Sequence, residues 1–397
     1  MRPHTLPTTA KKKRLSRAVS SIEPSGIRRF FDLAATMDDC ISLGVGEPDF
    51  VTPWNVREAS MTALEQGYTS YTSNAGMIEL RSAISEYMLS RFGVGYDPEE
   101  EVIVTVGASE AIDLAVRATI DPGDEVLVAT PAFVSYEPLV TLSGAVPVPV
   151  PADASTDFKL TKERLEAAIT DRSRAIILSF PNNPTGAVMN EVELQAIAEV
   201  AEAHDLLVFS DEIYAELSYD TPHTAFSALE RMRDRTVLIS GFSKAFAMTG
   251  WRLGFVCAPA DITQAMLKIH QYSLMCAPTQ AQHGALEALR NGRGIVEKMT
   301  NSYRARRNYI VHALNEAGLS CHFPGGSFYA FPSVEATGMD DETFAEQLLI
   351  EEKVAVVPGS VFGKGGEGHV RCSYATSMDA LQTATARIEA FVKRHAQ

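Results

Sequence analysis

Cysteine is scarce and scattered in this chain of 397 residues: Cys40, Cys257, Cys276, Cys321 and Cys372 are odd in number and form no Cys-x-x-Cys pair. Neither a disulfide frame nor a cysteine zinc site is indicated, and the five read as reduced, mostly buried small side chains. The nine histidines show no His-Glu-x-x-His or comparable spacing, so no metal is implied. No apolar run is long enough to span a membrane, and the first residues hold no hydrophobic stretch of the kind a signal peptide needs. A cytoplasmic protein is the expectation. Surplus basic charge is also missing: the formal net charge is -15, which argues against nucleic acid as a partner. Residues 1–20 depart from this, with six basic and no acidic residues. Pro3, Pro7 and several threonines without interleaved aromatics make that stretch read as a solvated, flexible leader.

What the chain does contain is a long alternation of short apolar runs and amphipathic stretches. Strands are expected over 102–106, 125–129, 146–150, 175–180, 206–210, 237–240 and 253–257, with helices over 55–64, 79–92, 110–119, 162–169 and 191–204. Continuous apolar strands separated by helices are the mark of a mostly parallel sheet covered on both faces. A short amphipathic helix is expected over 24–34, then a strand at Ile41-Ser-Leu43 and a glycine- and proline-rich turn from Gly44 to Phe50. Past about residue 290 the alternation gives way to long helices and short strands near 354–357 and 369–374. The fold class is therefore α/β. A large domain (53–289) carries a mostly parallel seven-stranded sheet between helices, and a small α+β domain forms from both chain ends (21–52 and 290–397). The run Gly363-Lys-Gly-Gly-Glu-Gly368 satisfies a dinucleotide glycine pattern. It precedes a strand instead of coming after one, so it reads as a turn.

In open α/β sheets ligands bind beyond the carboxyl ends of the strands, and four such ends carry chemistry. Gly107-Ala108-Ser109 opens a helix, where close backbone N–H groups and the helix N-terminus suit a phosphate. Thr130-Pro131-Ala132-Phe133 places a ring for stacking. Pro181-Asn182-Asn183-Pro184-Thr185-Gly186 is a constrained turn that fixes the Asn183 amide and admits a cis bond before Pro184. Ser210-Asp211-Glu212-Ile213-Tyr214 puts a carboxylate at the end of a buried strand, where it needs a cationic partner. In Ser240–Gly254, Lys244 lies among Phe242, Ala245, Phe246 and Ala247, and Arg252 stands eight residues on. Desolvation disfavours the ammonium form and leaves a free amine able to attack a carbonyl.

A phosphate cradle, a stacking ring, a carboxylate, an amide, a phenol and a nucleophilic lysine are together what pyridoxal phosphate requires. Pro-Asn-Asn-Pro-Thr-Gly, Ser-Asp-Glu-Ile-Tyr and Gly-Phe-Ser-Lys-Ala-Phe-Ala-Met-Thr-Gly-Trp-Arg-Leu-Gly, in this order, resemble the class I, fold type I aminotransferases from Gly26 to the last helix. The resemblance implies that Lys244 bonds covalently to the cofactor and later moves the substrate Cα proton, and that Asp211 keeps the ring nitrogen protonated. It implies that Tyr214 and Asn183 hydrogen-bond the ring hydroxyl oxygen and that Phe133 stacks on the ring. Ala108, Ser109 and Arg252 would hold the phosphate, with Tyr71 arriving from the second subunit of a homodimer. Arg371 would grip the substrate α-carboxylate beside Gly46 and Asn183.

Two positions depart from the family pattern. Ser109 stands where some aspartate-specific relatives have lysine, and Gly241 where many have a phosphate-binding serine. The expected reaction moves the amino group of an L-amino acid, aromatic or hydrophobic favoured, to 2-oxoglutarate in two half-reactions. Aspartate or N-acetyl-diaminopimelate aminotransferase, and a C–S β-lyase on the same fold, are the alternatives. A transcriptional regulator would need a DNA-binding domain ahead of this fold, for which about 25 leader residues are too few.

Overall fold

The computed structural model describes residues 14–24, 26, 37 and 39–395. Most of the helix expected over 24–34 and most of the basic leader lie outside the described residues. Within the leader, Arg17–Ser20 forms one helical turn whose cap is Ser16, its hydroxyl accepting from the Val19 N–H.

Seven strands form the central sheet: β2 (Val102–Thr105), β3 (Glu125–Thr130), β4 (Val146–Pro151), β5 (Ser173–Ser179), β6 (Leu207–Asp211), β7 (Thr236–Gly241) and β8 (Gly254–Cys257), in the order β2-β8-β7-β6-β5-β3-β4. β2 and β3 are buried along their whole length, as apolar strands covered by helices on both faces should be. β4, Val-Pro-Val-Pro-Val-Pro, lies at the edge, because its prolines offer no ladder donors to a further strand. Every pairing is parallel except those of β8, which runs antiparallel to both β2 and β7. That inversion brings the amino end of β8, and Arg252 just before it, to the edge where the other strands end: Gly254 sits opposite both Thr105 and Gly241.

Local signals start and stop the covering helices. Asn190 and Glu193 form a reciprocal capping box at the head of Glu191–Ala203. Thr161 caps Lys162–Ala168, and Gly93, in the left-handed region at φ 73°, ends Ile78–Phe92. Helix Ala108–Thr119 begins two residues earlier than expected, on Gly107 at φ 81°.

The second layer is built from both sides of the sheet in sequence. β1 (Ile41–Ser42) pairs in parallel with β10 (Val354–Ala355). A separate antiparallel sheet runs β11 (Val357–Pro358), β12 (Val370–Ser373), β9 (Tyr329–Ala330). The single strand expected near 354–357 is thus two, shared between sheets. Helices Arg293–Glu316, Asp341–Glu352 and Met378–His395 cover them. Leu43, Leu314, Phe344, Leu348, Val354, Leu381 and Phe391 are buried in one apolar cluster, which also takes in Tyr214 and Leu217 from beyond the end of β6. The glycine run after Phe362 is a turn, with Gly363, Gly365 and Gly368 all at positive φ. No described helix is long and apolar enough to cross a membrane.

Candidate active site

Between the carboxyl edge of the sheet and the second layer lies a cleft of about 870 Å³, and it brings together ten of the eleven residues singled out from the sequence. Gly46, Ala108, Ser109, Phe133, Asn183, Asp211, Tyr214, Lys244, Arg252 and Arg371 all line it. Tyr71 does not; it is 77% exposed on its own chain.

Lys244 comes after β7 and is partly buried. Its Nζ donates to the Gly46 carbonyl at 2.6 Å and stands 5.8 Å from the Tyr214 ring and 5.7 Å from that of Phe328. Burial lowers its pKa to about 8; Glu47 opposes the shift, while Arg371 and Arg252 add to it. At neutral pH this leaves about a tenth of the amine unprotonated, against well under a thousandth for a solvated lysine. Asp211 ends β6 and is buried. Burial raises its pKa to about 6 against two hydrogen bonds that hold it down, from the Tyr136 hydroxyl at 2.7 Å and the Ile213 N–H at 3.1 Å.

The Asn183 turn contains cis bonds at Phe180–Pro181 and Asn183–Pro184. Its Oδ1 accepts from Arg371 at 2.8 Å, so the side-chain N–H groups are the part left to address a ligand. Arg371, on β12 and buried, also donates to the Gly44 carbonyl at 2.6 Å, and its guanidinium lies 4.5 Å from the Tyr329 ring centroid. Each terminal nitrogen keeps a second N–H. The Tyr214 and Tyr329 hydroxyls are 2.9 Å apart, and burial pushes the Tyr214 pKa well up. A Cβ at Gly46 would fall 2.6 Å from the Tyr329 hydroxyl, so the backbone must pass there without a side chain.

Opposite, Gly107, Ala108 and Ser109 meet Arg252. A Cβ on Gly107 would lie 2.6 Å from an Arg252 terminal nitrogen, and one on Gly254 would lie 2.7 Å from the Ala108 nitrogen. Only glycine allows this closeness of guanidinium, strand end and helix N-terminus, and the result is a concentration of N–H donors and positive charge. Gly241 has a steric reason too: a Cβ there would meet Gly254 Cα at 2.8 Å and the Leu253 carbonyl at 3.0 Å. Ser243, two residues on, lines the cleft.

Sequence reasoning missed Tyr136, Tyr329 and Glu47. Tyr136 carried a weak signal, since a tyrosine in an apolar stretch needs a partner for its hydroxyl. Glu47, at the cleft mouth, accepts from Thr249 at 3.1 Å. Among the described residues no His, Cys, Asp and Glu cluster could hold a metal ion.

Comparison with known proteins agrees with this geometry. The chain is 60% identical to the putative aminotransferase YugH of Bacillus subtilis, over 96% of this chain and 98% of that protein. It is 45% identical to an aspartate aminotransferase of Pyrococcus abyssi, over 94% of this chain and 97% of that one. The crystal structure of an aromatic aminotransferase from Pyrococcus horikoshii superposes with a TM-score of 0.88 at 44% identity, covering 93% of this chain and 99% of that one. Residues 38–388 match the model of the family described as aminotransferase class I and II. With its lysine, aspartate and two arginines gathered in one cleft, the chain belongs to the class I and II aminotransferases.

Proposed function

We propose that this aminotransferase binds pyridoxal phosphate and moves the amino group of an L-amino acid, aromatic or hydrophobic favoured, to 2-oxoglutarate by a ping-pong mechanism. The observation that carries the reading is a desolvated amine, Lys244 Nζ, in one cleft with a buried carboxylate, Asp211, and a buried guanidinium, Arg371. The residues fit the cofactor: the Gly107–Ser109 turn with Arg252 offers an anion cradle that a Cβ at Gly107 would fill, and Asp211 offers a carboxylate to a cationic ring nitrogen. When bound, pyridoxal phosphate supplies an aldehyde that amines condense with and a ring that accepts the electron pair released at Cα.

The protein's own groups divide the remaining work. Lys244 would hold the cofactor covalently through its amine nitrogen, and as the free amine it would carry a proton away from the substrate Cα. Asp211, ionised, retains a proton on the ring nitrogen. Tyr214 and the Asn183 amide donate to the ring hydroxyl oxygen, and Phe133 stacks on the ring. Ala108, Ser109 and Arg252 hold the phosphate. Arg371 takes the substrate α-carboxylate with its remaining N–H groups, beside Gly46 and Asn183.

The proposal includes a division into a large domain over 53–289 and a small one from 21–52 and 290–397. A homodimer completes the site, with Tyr71 of the partner subunit reaching the phosphate. Trp54, Met61, Leu64, Tyr68, Tyr71 and Tyr272 are all exposed, and their segments are drawn together by Asn74 donating to the Met275 carbonyl at 2.7 Å and Thr279 to that of Ser70 at 2.8 Å. Such a patch suits burial against a second copy.

Aspartate is the second reading, favoured by the Pyrococcus abyssi relative. Ser109, uncharged where aspartate-specific relatives can carry lysine, favours the apolar donor. The test is a panel of aromatic, aliphatic and acidic donors against 2-oxoglutarate, reading glutamate formed. Phenylalanine or leucine should exceed aspartate in kcat/KM, and the reverse order would transfer the assignment to aspartate. Ammonia and pyruvate released from cysteine conjugates without any oxo acid would mark a lyase instead.

A further inference from the structure

The turn proposed to receive the phosphate has support on a side that does not line the cleft. Glu110 is the third residue of helix Ala108–Thr119. Its Oε2 accepts the Val106 N–H at 2.5 Å, and its Oε1 is 2.6 Å from Nδ1 of His270 on helix Ala260–Ser273. His270 is wholly buried and its Nε2 has no partner. Neither residue lines the cleft.

A carboxylate in the first turn of a helix is favoured by the same partial positive charge that would attract a phosphate, so at this position the two compete. The competition is removed if the carboxylate is turned away and given partners of its own. His270 Nδ1–H and Val106 N–H are those partners, since an ionised carboxylate only accepts.

The Val106 bond has a second effect. Val106 joins the end of β2 to Gly107, a residue at φ 81°, whose lack of a side chain leaves the backbone wide freedom. Glu110 pins that turn from one side, and the Thr105 hydroxyl pins it from the other by donating to the Gly107 carbonyl at 3.0 Å. The N–H groups of Ala108 and Ser109 come directly after. An anion cradle is effective to the extent that its donors are aimed before the ligand arrives.

We propose that Glu110 and His270 are a positioning pair for the cofactor phosphate: His270 fixes the Glu110 carboxylate, and Glu110 holds the Val106–Gly107 turn so that the donors after it point at the anion. This rests on the reading that Gly107–Ser109 takes the phosphate of pyridoxal phosphate.

The experiment compares the affinity of the full-length apoenzyme for pyridoxal phosphate and for pyridoxal, which has no phosphate, by absorbance titration. Wild type should bind pyridoxal phosphate far more tightly than pyridoxal; equal affinities would sink the cradle reading itself. Glu110→Ala should weaken pyridoxal phosphate by about tenfold, as for loss of a hydrogen bond to a charged group, and leave pyridoxal unchanged. Glu110→Gln keeps an acceptor for Val106 and should recover most of the loss. His270→Asn should weaken pyridoxal phosphate by about threefold, and adding it to Glu110→Ala should cost nothing further, because the two act as one unit. Equal losses for both ligands, or none for either, would overturn the pairing proposal. If Glu110→Ala does not fold, His270→Asn decides by the same comparison of ligands.

Discussion

One wall of the cleft is the carboxyl edge of a seven-stranded sheet, while the other consists of a loop, the two-residue strands β1 and β9–β11, and the four-residue β12. On the sheet wall, Asp211 ends a buried strand within the ladder, and Asn183 and Lys244 come soon after two others, in turns held by backbone bonds from the Gly186 N–H to the Asn182 carbonyl at 3.0 Å and from the Phe246 N–H to the Phe242 carbonyl at 3.3 Å. On the other wall, Arg371 is held by side-chain bonds to Asn183 and Gly44 and by the rings of Tyr329 and Phe362. In the proposed function the sheet wall holds the cofactor and the group that moves the proton, while the opposite wall holds the substrate carboxylate. The Lys244–Gly46 hydrogen bond joins the walls.

Substitutions on each wall should therefore fail in different ways. Lys244→Ala on the sheet wall is expected to lower kcat by about 10⁴-fold for every donor, the upper range for loss of a positioned acid–base group. Single-turnover and steady-state assays should agree, and activity within tenfold of wild type would remove the lysine from the mechanism. Arg371→Lys on the opposite wall should instead raise KM for all amino and oxo acids alike, because every one of them presents the same carboxylate. A loss of about 2 kcal/mol, about thirtyfold in kcat/KM, fits replacing a planar fork by a point charge. A loss confined to acidic substrates would mean that Arg371 reads the side chain.

A third substitution asks how rigid the sheet wall is. Gly241→Ser restores the hydroxyl common in the family, but its Cβ would press on Gly254 Cα and the Leu253 carbonyl. Overpacking of this kind costs about 1–3 kcal/mol, so thermal unfolding should move to lower temperature with no gain in cofactor affinity. A variant as stable as wild type that also binds the cofactor more tightly would show that this wall yields.

The same contrast explains how much is legible in the sequence. Buried strands appear as continuous apolar runs, so all seven sheet strands can be placed, and Asp211, Asn183 and Lys244 emerge from inspecting the residues at the carboxyl end of each run. Arg371 has no such signal: Val370-Arg371-Cys372-Ser373 is a wholly buried strand with a charge in the middle, and family resemblance alone points to it. The run 354–357 divides between two sheets because the chain turns after Ala355 to leave one ladder and join another, and short strands carry too little periodicity to show that. Tyr136 escapes notice because its partner, Asp211, is 75 positions away in the chain, a pairing that only the folded sheet creates.

Tyr136 also supplies the smallest of the expected effects. Its hydroxyl donates to the charged form of Asp211 and so holds down a pKa that burial has raised to about 6. A carboxylate that loses such a donor is harder to ionise, so in Tyr136→Phe the pKa must move further up. The shift should be no more than about one unit, ~1.4 kcal/mol, because the Ile213 N–H remains. Cofactor affinity needs the ionised carboxylate opposite a protonated ring nitrogen, and it should weaken as the pH falls through about 6 in wild type. In the variant that acid limb should begin at higher pH, with near-normal affinity at about pH 8, a loss of about twofold at about pH 7 and of about fivefold at about pH 6. Titrating apoenzyme with pyridoxal phosphate across the acid-to-neutral range measures the limb directly. If it stays in place while affinity falls equally at every pH, Tyr136 supports the ring by packing alone and the Asp211 carboxylate is governed by burial.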